Sequence, residues 1–183
     1  HDPQDELGLC HLTSKMLLRG TLNNSKTEFY KKLERLGGQI SVDVRAEGIV
    51  YRAAVLSENL GEFLDLVNEA FVRPKFPAEE LKKLKKETES IILEQKSSDK
   101  ALVSYHFQKF FYGSHPYANP ILGTRKSLSK INHKDIVRFH EKYFGGDGMT
   151  LFVSGDADKL VIKSWFQGLL MKLTALHPNA SSA

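Results

Sequence analysis

The 183-residue chain has a single cysteine, no low-complexity tract, no internal repeat and no interdomain linker. Nowhere does it carry the roughly 18 consecutive apolar residues that cross a bilayer, which excludes a helical membrane span. One cysteine excludes an internal disulfide framework. Cys10 sits in an apolar helical stretch with no His and Asn/Asp context to activate it, so it reads as a small core residue and not as a nucleophile. Charge of one sign is also missing: 26 Lys and Arg stand against 22 Asp and Glu, a net charge of +4. Even the lysine-rich "LKKLKKETES" runs straight into carboxylates, so it reads as a solvated helix face and gives no nucleic-acid surface. What remains is an ordinary globular composition, 41% hydrophobic and 26% charged, long enough for a core of its own. The chain starts at "HDPQDEL" without an initiator methionine or signal-like region, which fits one repeat or fragment of a longer chain. Redox compartment and localisation stay open.

Periodicity assigns the elements. Leu7 to Arg19 is apolar almost all the way round and predicts a buried helix. Ser25 and Glu28 have capping-box spacing at the start of "SKTEFYKKLERLGG", and Gly37-Gly38 stops that helix. The period then drops to two: "QISVDVRA" and "GIVYRAAVLS" predict an antiparallel hairpin across Ala46 to Gly48. Helical periodicity returns in "SENLGEFLDLVNEAF". A long helix follows from about Pro77 to Ser97, with Leu81, Leu84, Thr88, Ile91 and Ile92 as its inward stripe. "ALVSYHFQKFFYG", "HKDIVRFHEKYF" and "ADKLVIKSWFQGLLMKL" predict three more helices, and "SHPYANPILGT" a Pro- and Gly-punctuated loop. "GGDGMTLFVSGD" reads as a turn plus a third strand. The class is α+β, an antiparallel-rich sheet with helices packed on one face. Three strands are few for so many helices. Either short strands hide in loops, or the sheet's N-terminal strands precede His1.

One constellation stands out in "GLCHLTSKMLLRGT". His11, Ser14 and Lys15 fall at i, i+3 and i+4 and so share one face of an otherwise apolar helix. A buried ammonium needs a partner, because desolvating it costs several kcal/mol. The candidate carboxylates lie in "ETESIILEQ", where Glu87 and Glu94 are seven residues apart, nearly two helical turns.

Six stretches in register carry a resemblance: "DPQDELGLCHLTSKMLLRGT", "LERLGGQISVDV", "ETESIILEQ", "GSHPYANPILGT", "HKDIVRFHEKYF" and "MTLFVSGDAD". Together they resemble the pitrilysin/insulinase family of zinc metallopeptidases, which includes the mitochondrial processing peptidase and the core proteins of the bc1 complex. The resemblance implies a metallohydrolase fold and a first helix bearing an inverted motif, His-x-x-Glu-His. There two His bind zinc and the Glu activates its water. A distal Glu is the third ligand, and another Glu seven residues before it supports the site.

Carried over by position, His11 matches the first His, Glu94 the distal ligand and Glu87 the supporting Glu. Ser14 stands at the base position and Lys15 at the second His position, so the motif is degenerate. A hydroxyl is no proton acceptor for zinc-bound water, and a protonated lysine has no lone pair for a metal. The expectation is a pseudoenzyme with no catalytic residue and no zinc of its own, His11 and Glu94 being vestigial. His11 is then either a hydrogen-bonded core histidine or a residual metal ligand. Lys15 is expected to act as internal counter-ion to Glu94, Glu87 or both. His115 and Tyr117 fall in the loop that borders the cleft in relatives, although a Pro-set turn explains them equally well.

The resemblance further implies that residues 1–183 form one half-domain, pairing with a second half of the same type, in the same chain or another, to enclose a chamber that receives extended peptides. Two other roles stay open: an active zinc metalloendopeptidase subunit with non-standard ligands, and a purely structural core-protein-like subunit.

Overall fold

The computed structural model of the chain describes residues 2–178 and 180. Eight α-helices and two strands follow one another among these residues: α1 (Leu9–Met16), α2 (Lys26–Arg35), β1 (Gln39–Val44), β2 (Ile49–Ala54), α3 (Leu60–Val72), α4 (Ala78–Lys96), α5 (Asp99–Tyr112), α6 (Arg125–Lys130), α7 (His133–Tyr143) and α8 (Lys159–Leu176). Short 3-10 turns fill Gln4–Glu6, Ser57–Asn59 and Pro116–Ala118.

Helix α1 is the centre of the molecule. Leu9, Leu12, Met16 and Leu17 are fully buried, and the helix packs against α4, α7 and β1. It is shorter than the apolar run that specifies it. At its C-terminal end the Leu18 and Arg19 amides bond to carbonyls three residues back, so Leu17–Arg19 tighten into a 3-10-like turn. At the other end Gly8 is left-handed, and the Asp2 carboxylate accepts from the Gly8 and Cys10 amides at 2.6 and 2.8 Å. A carboxylate at a helix N-terminus satisfies orphan amides and complements the dipole. The capping box at Ser25 and Glu28 forms as the spacing predicts, and Asn132 with Asp135 repeats it on α7.

The sheet is smaller than expected. β1 and β2 form an antiparallel hairpin with Gln39 opposite Ala54 and Val44 opposite Ile49. The predicted third strand in "MTLFVSGD" does not form. Residues 149–154 pair with no neighbour among the described residues, and Phe152 is 89% exposed. β-branched and aromatic residues favour a pleated surface, but a strand exists only where another strand accepts its hydrogen bonds. Ile91 also departs from the expected inward stripe of α4. It is 38% exposed, while Leu81, Leu84, Thr88 and Ile92 are buried. Ile91 and Ile92 lie about 100° apart on a helix, so a narrow contact takes only one of them. α5 buries no residue and leaves Phe107, Phe110 and Phe111 exposed.

A clasp fixes the start of α1. The Leu7 carbonyl accepts from Ser127 Oγ at 2.7 Å, Glu6 pairs with Arg138 at 2.9 Å, and the Leu122–Thr124 turn presses on the same segment. Gly123 makes the approach feasible: its φ is +76°, and a Cβ there would sit 2.1 Å from the Leu7 oxygen. Gly61, within α3, has nothing within 4 Å of a Cβ. Urea denaturation is therefore expected to show Gly123→Ala destabilised by about 2 kcal/mol or more. Gly61→Ala is expected to be neutral or stabilised by up to about 1 kcal/mol.

Candidate functional site

The polar face of α1 is built as the spacing predicts, and of its three groups Ser14 is held by a hydrogen bond. His11 is 5% exposed, its Nε2 buried without a hydrogen bond. Burial first, and the Lys15 charge second, push its pKa down to about 4, so the ring is neutral near pH 7. Ser14 is fully buried and donates from Oγ to the Cys10 carbonyl one turn back at 2.7 Å. Its own carbonyl accepts from the Tyr51 hydroxyl at 2.9 Å, which ties β2 to α1. Burial pushes the Tyr51 phenol well above its ordinary range and the Cys10 thiol up to about 11. Neither group is ionised near neutrality, so Cys10 is no nucleophile.

Lys15 is half-buried and makes no ion pair among the described residues. The expected counter-ion is engaged elsewhere. Glu87 forms a two-pronged pair with Arg19, one contact at 3.1 Å and the second shorter, and Glu80 lies 3.6 Å from the same guanidinium. Lys26 and Lys83 complete this cluster on Glu80, at 3.5 and 2.7 Å. Arg19 lies just beyond the end of α1. A planar guanidinium also matches a carboxylate fork better than an ammonium. Glu94 is exposed near the C-terminal end of α4.

These donors do not make a zinc site. His11 offers one buried neutral imidazole with a free lone pair, as a metal would require. Its neighbours do not complete the set: Lys15 brings positive charge, Glu87 is bound to Arg19, and Ser14 Oγ is held by a backbone carbonyl. Among the described residues no three His, Cys, Asp or Glu side chains gather where they could hold a metal ion.

The loop carrying His115 and Tyr117 closes an open groove of about 460 Å³ between the hairpin tip and α5. Tyr117 donates its hydroxyl to Glu47 at 2.6 Å, and its carbonyl accepts from Gln108 at 2.5 Å. His115 Nδ1 accepts the Tyr117 amide at 3.2 Å. His115 thus shapes its own turn, and Tyr117 joins the loop to the hairpin.

Three contributors escape any reading of local spacing. Asp2 caps α1 from six residues before Gly8, Arg19 takes the carboxylate expected of Lys15, and Tyr51 reaches Ser14 across the fold. Only the placement of Arg19 at the end of a buried helix carries a hint.

The family model for insulinase (peptidase family M16) matches residues 1–125. The chain belongs to this family. An uncharacterized zinc protease YmxG of Bacillus subtilis is 28% identical over 169 residues, covering 91% of this chain and 41% of that protein. A non-peptidase homolog YmxG of Helicobacter pylori is 26% identical over 153 residues, covering 84% and 35%. Among solved structures, the peptidase M16 inactive domain from Pseudomonas fluorescens superposes with a TM-score of 0.84 at 25% identity, covering 98% of this chain and 44% of that one. The chain spans about two-fifths of the length of these M16 relatives. The helix-rich architecture with a small antiparallel sheet is the M16 fold.

Arg19 is nearly buried, whereas the Glu87 side chain is 49% exposed. Urea midpoints are expected to show Arg19→Met destabilised by about 1–3 kcal/mol, since Glu80 then loses a close cation. Glu87→Gln should cost under about 1 kcal/mol.

Proposed function

We propose that this chain is a catalytically silent M16 half-domain that pairs with a second M16-type half and holds extended peptides without cleaving them. The observation that carries the reading is the chemistry of α1. At the positions where active relatives carry a general base and a second zinc-binding His stand Ser14, hydrogen-bonded to the Cys10 carbonyl, and the cation Lys15. Neither can take a proton from zinc-bound water or donate a lone pair to the metal at neutral pH. His11 remains as a buried, neutral core imidazole, and Glu94 and Glu87 as former ligand and support.

Relatives described as a non-peptidase homolog and as an inactive domain support the same reading. So does the share of those relatives that the chain spans, which leaves room for a second half. In such an assembly residues 1–183 contribute one wall of a chamber. An extended peptide binds there by adding a strand to the hairpin, both of whose outer edges are unpaired among the described residues.

The test uses full-length protein and a labelled extended peptide, with anisotropy reporting binding and mass spectrometry reporting cleavage. Saturable binding with the peptide recovered intact is expected. Chelator-sensitive cleavage by this chain alone contradicts the silent half, and absence of binding in the complete assembly favours a purely structural subunit.

A further inference from the structure

Two imidazoles far from α1 in sequence have no part in the site above. His140 on α7 is 4% exposed, and His177 directly follows the last residue of α8. Their rings stand perpendicular with centroids 4.9 Å apart. His140 also stacks on Phe144 at 5.1 Å and meets Phe76 edge-on at 5.2 Å. It donates to the Phe71 carbonyl near the end of α3. The Nε2 atoms of both histidines are buried and make no hydrogen bond among the described residues. Phe76 is held at a φ of +51°, a conformation unfavourable for an aromatic residue and kept only where packing over-determines it.

Charged groups around the pair are few. From α8 only His177 acts on His140; the end of α3 offers the Phe71 carbonyl, and the segment before α4 offers the Phe76 ring. Among the described residues, Glu141 on α7 is the charge that acts on His177, and no carboxylate acts on His140.

We propose that the His140–His177 contact is a proton-operated latch, holding the C-terminal turn of α8 against α7 in neutral solution and releasing it in mild acid. A proton on His140 places a buried cation beside a second imidazole with no carboxylate among the described residues to pair it, and a proton on His177 sets that cation against the enclosed His140 ring. His140 is enclosed on all sides, whereas His177 is half-buried at a helix end, so the contact opens at His177. The remaining anchors of α8 do not titrate: Leu169 and Leu173 lie in the core, Trp165 donates to the Leu64 carbonyl at 3.1 Å, and Thr174 donates to the Gly145 carbonyl at 3.1 Å. The turn is released and the helix stays.

The sign follows from linkage. Burial first, then the neighbouring His177, holds His140 at about 4, below its ordinary 6.5. The released turn binds protons that the latched one refuses. The latch is therefore at full strength above about pH 6.5 and is lost as the pH falls toward 4.

Hydrogen exchange on the full-length protein tests this, with protection corrected for the intrinsic pH dependence of exchange. Between about pH 7 and about pH 4.5, amides at 175–177 should lose about tenfold or more in protection while those at 165–174 keep theirs. The doubly substituted His140→Phe, His177→Phe protein keeps the ring packing without titrating and should abolish the loss, while each single variant leaves one imidazole that can still charge and should only reduce it. Undiminished protection at 175–177 in acid overturns the latch, as does the same loss in the double variant. Should the variants fail to fold, an NMR titration of the His140 ring decides in the parent protein: a midpoint near 6.5 overturns the proposal, and a midpoint well below 6 that coincides with the loss of protection supports it.

Discussion

Helix α1 is buried on nearly every side, so water reaches few of the polar groups it carries and most of them bond within the protein. That constraint organises the rest of the structure. Ser14 turns back to the Cys10 carbonyl, Tyr51 comes across from β2 to the Ser14 carbonyl, and Asp2 folds over the helix start to take the Gly8 and Cys10 amides. Thr13 Oγ1 and His11 Nε2 are buried without a hydrogen-bond partner among the described residues. These contacts tie α1 to the strand and the N-terminal segment around it.

Attachment of α1 to α4 follows from the same logic. A zinc ion shared by two helices holds them at a fixed distance through coordinate bonds. In this chain α4 is tied to the end of α1 by the Arg19 fork on Glu80 and Glu87, supported by apolar packing along Leu81 and Leu84. Lys15 is spared from pairing, and its charge is felt by His11.

Much of this was legible in the residues. Capping-box spacing placed the start of α2, alternation placed the β1–β2 hairpin, and 3.6-residue periodicity placed α3, α4, α7 and α8, because each signal is local. The unformed strand at 149–154 shows the limit: alternating β-formers announce a strand, but pairing is a property of two segments, and only one is visible in a local window. The candidate site divides in the same way. His11, Ser14 and Lys15 share a face because helix geometry dictates it. Which cation would meet Glu87 was not legible, since Arg19 and Lys15 lie one turn apart and only the tertiary approach of α4 selects between them. Asp2 and Tyr51 act over distances that no spacing rule covers.

We propose that in α1 internal hydrogen bonds stand where active relatives hold a metal centre. The most direct test is the zinc content of the full-length protein after dialysis against trace zinc, measured by elemental analysis. The account predicts less than about a tenth of a zinc per chain, because a lone imidazole beside a lysine holds zinc poorly. About one tightly held zinc per chain would contradict it, and would mean that Lys15 and Ser14 leave the metal position open after all.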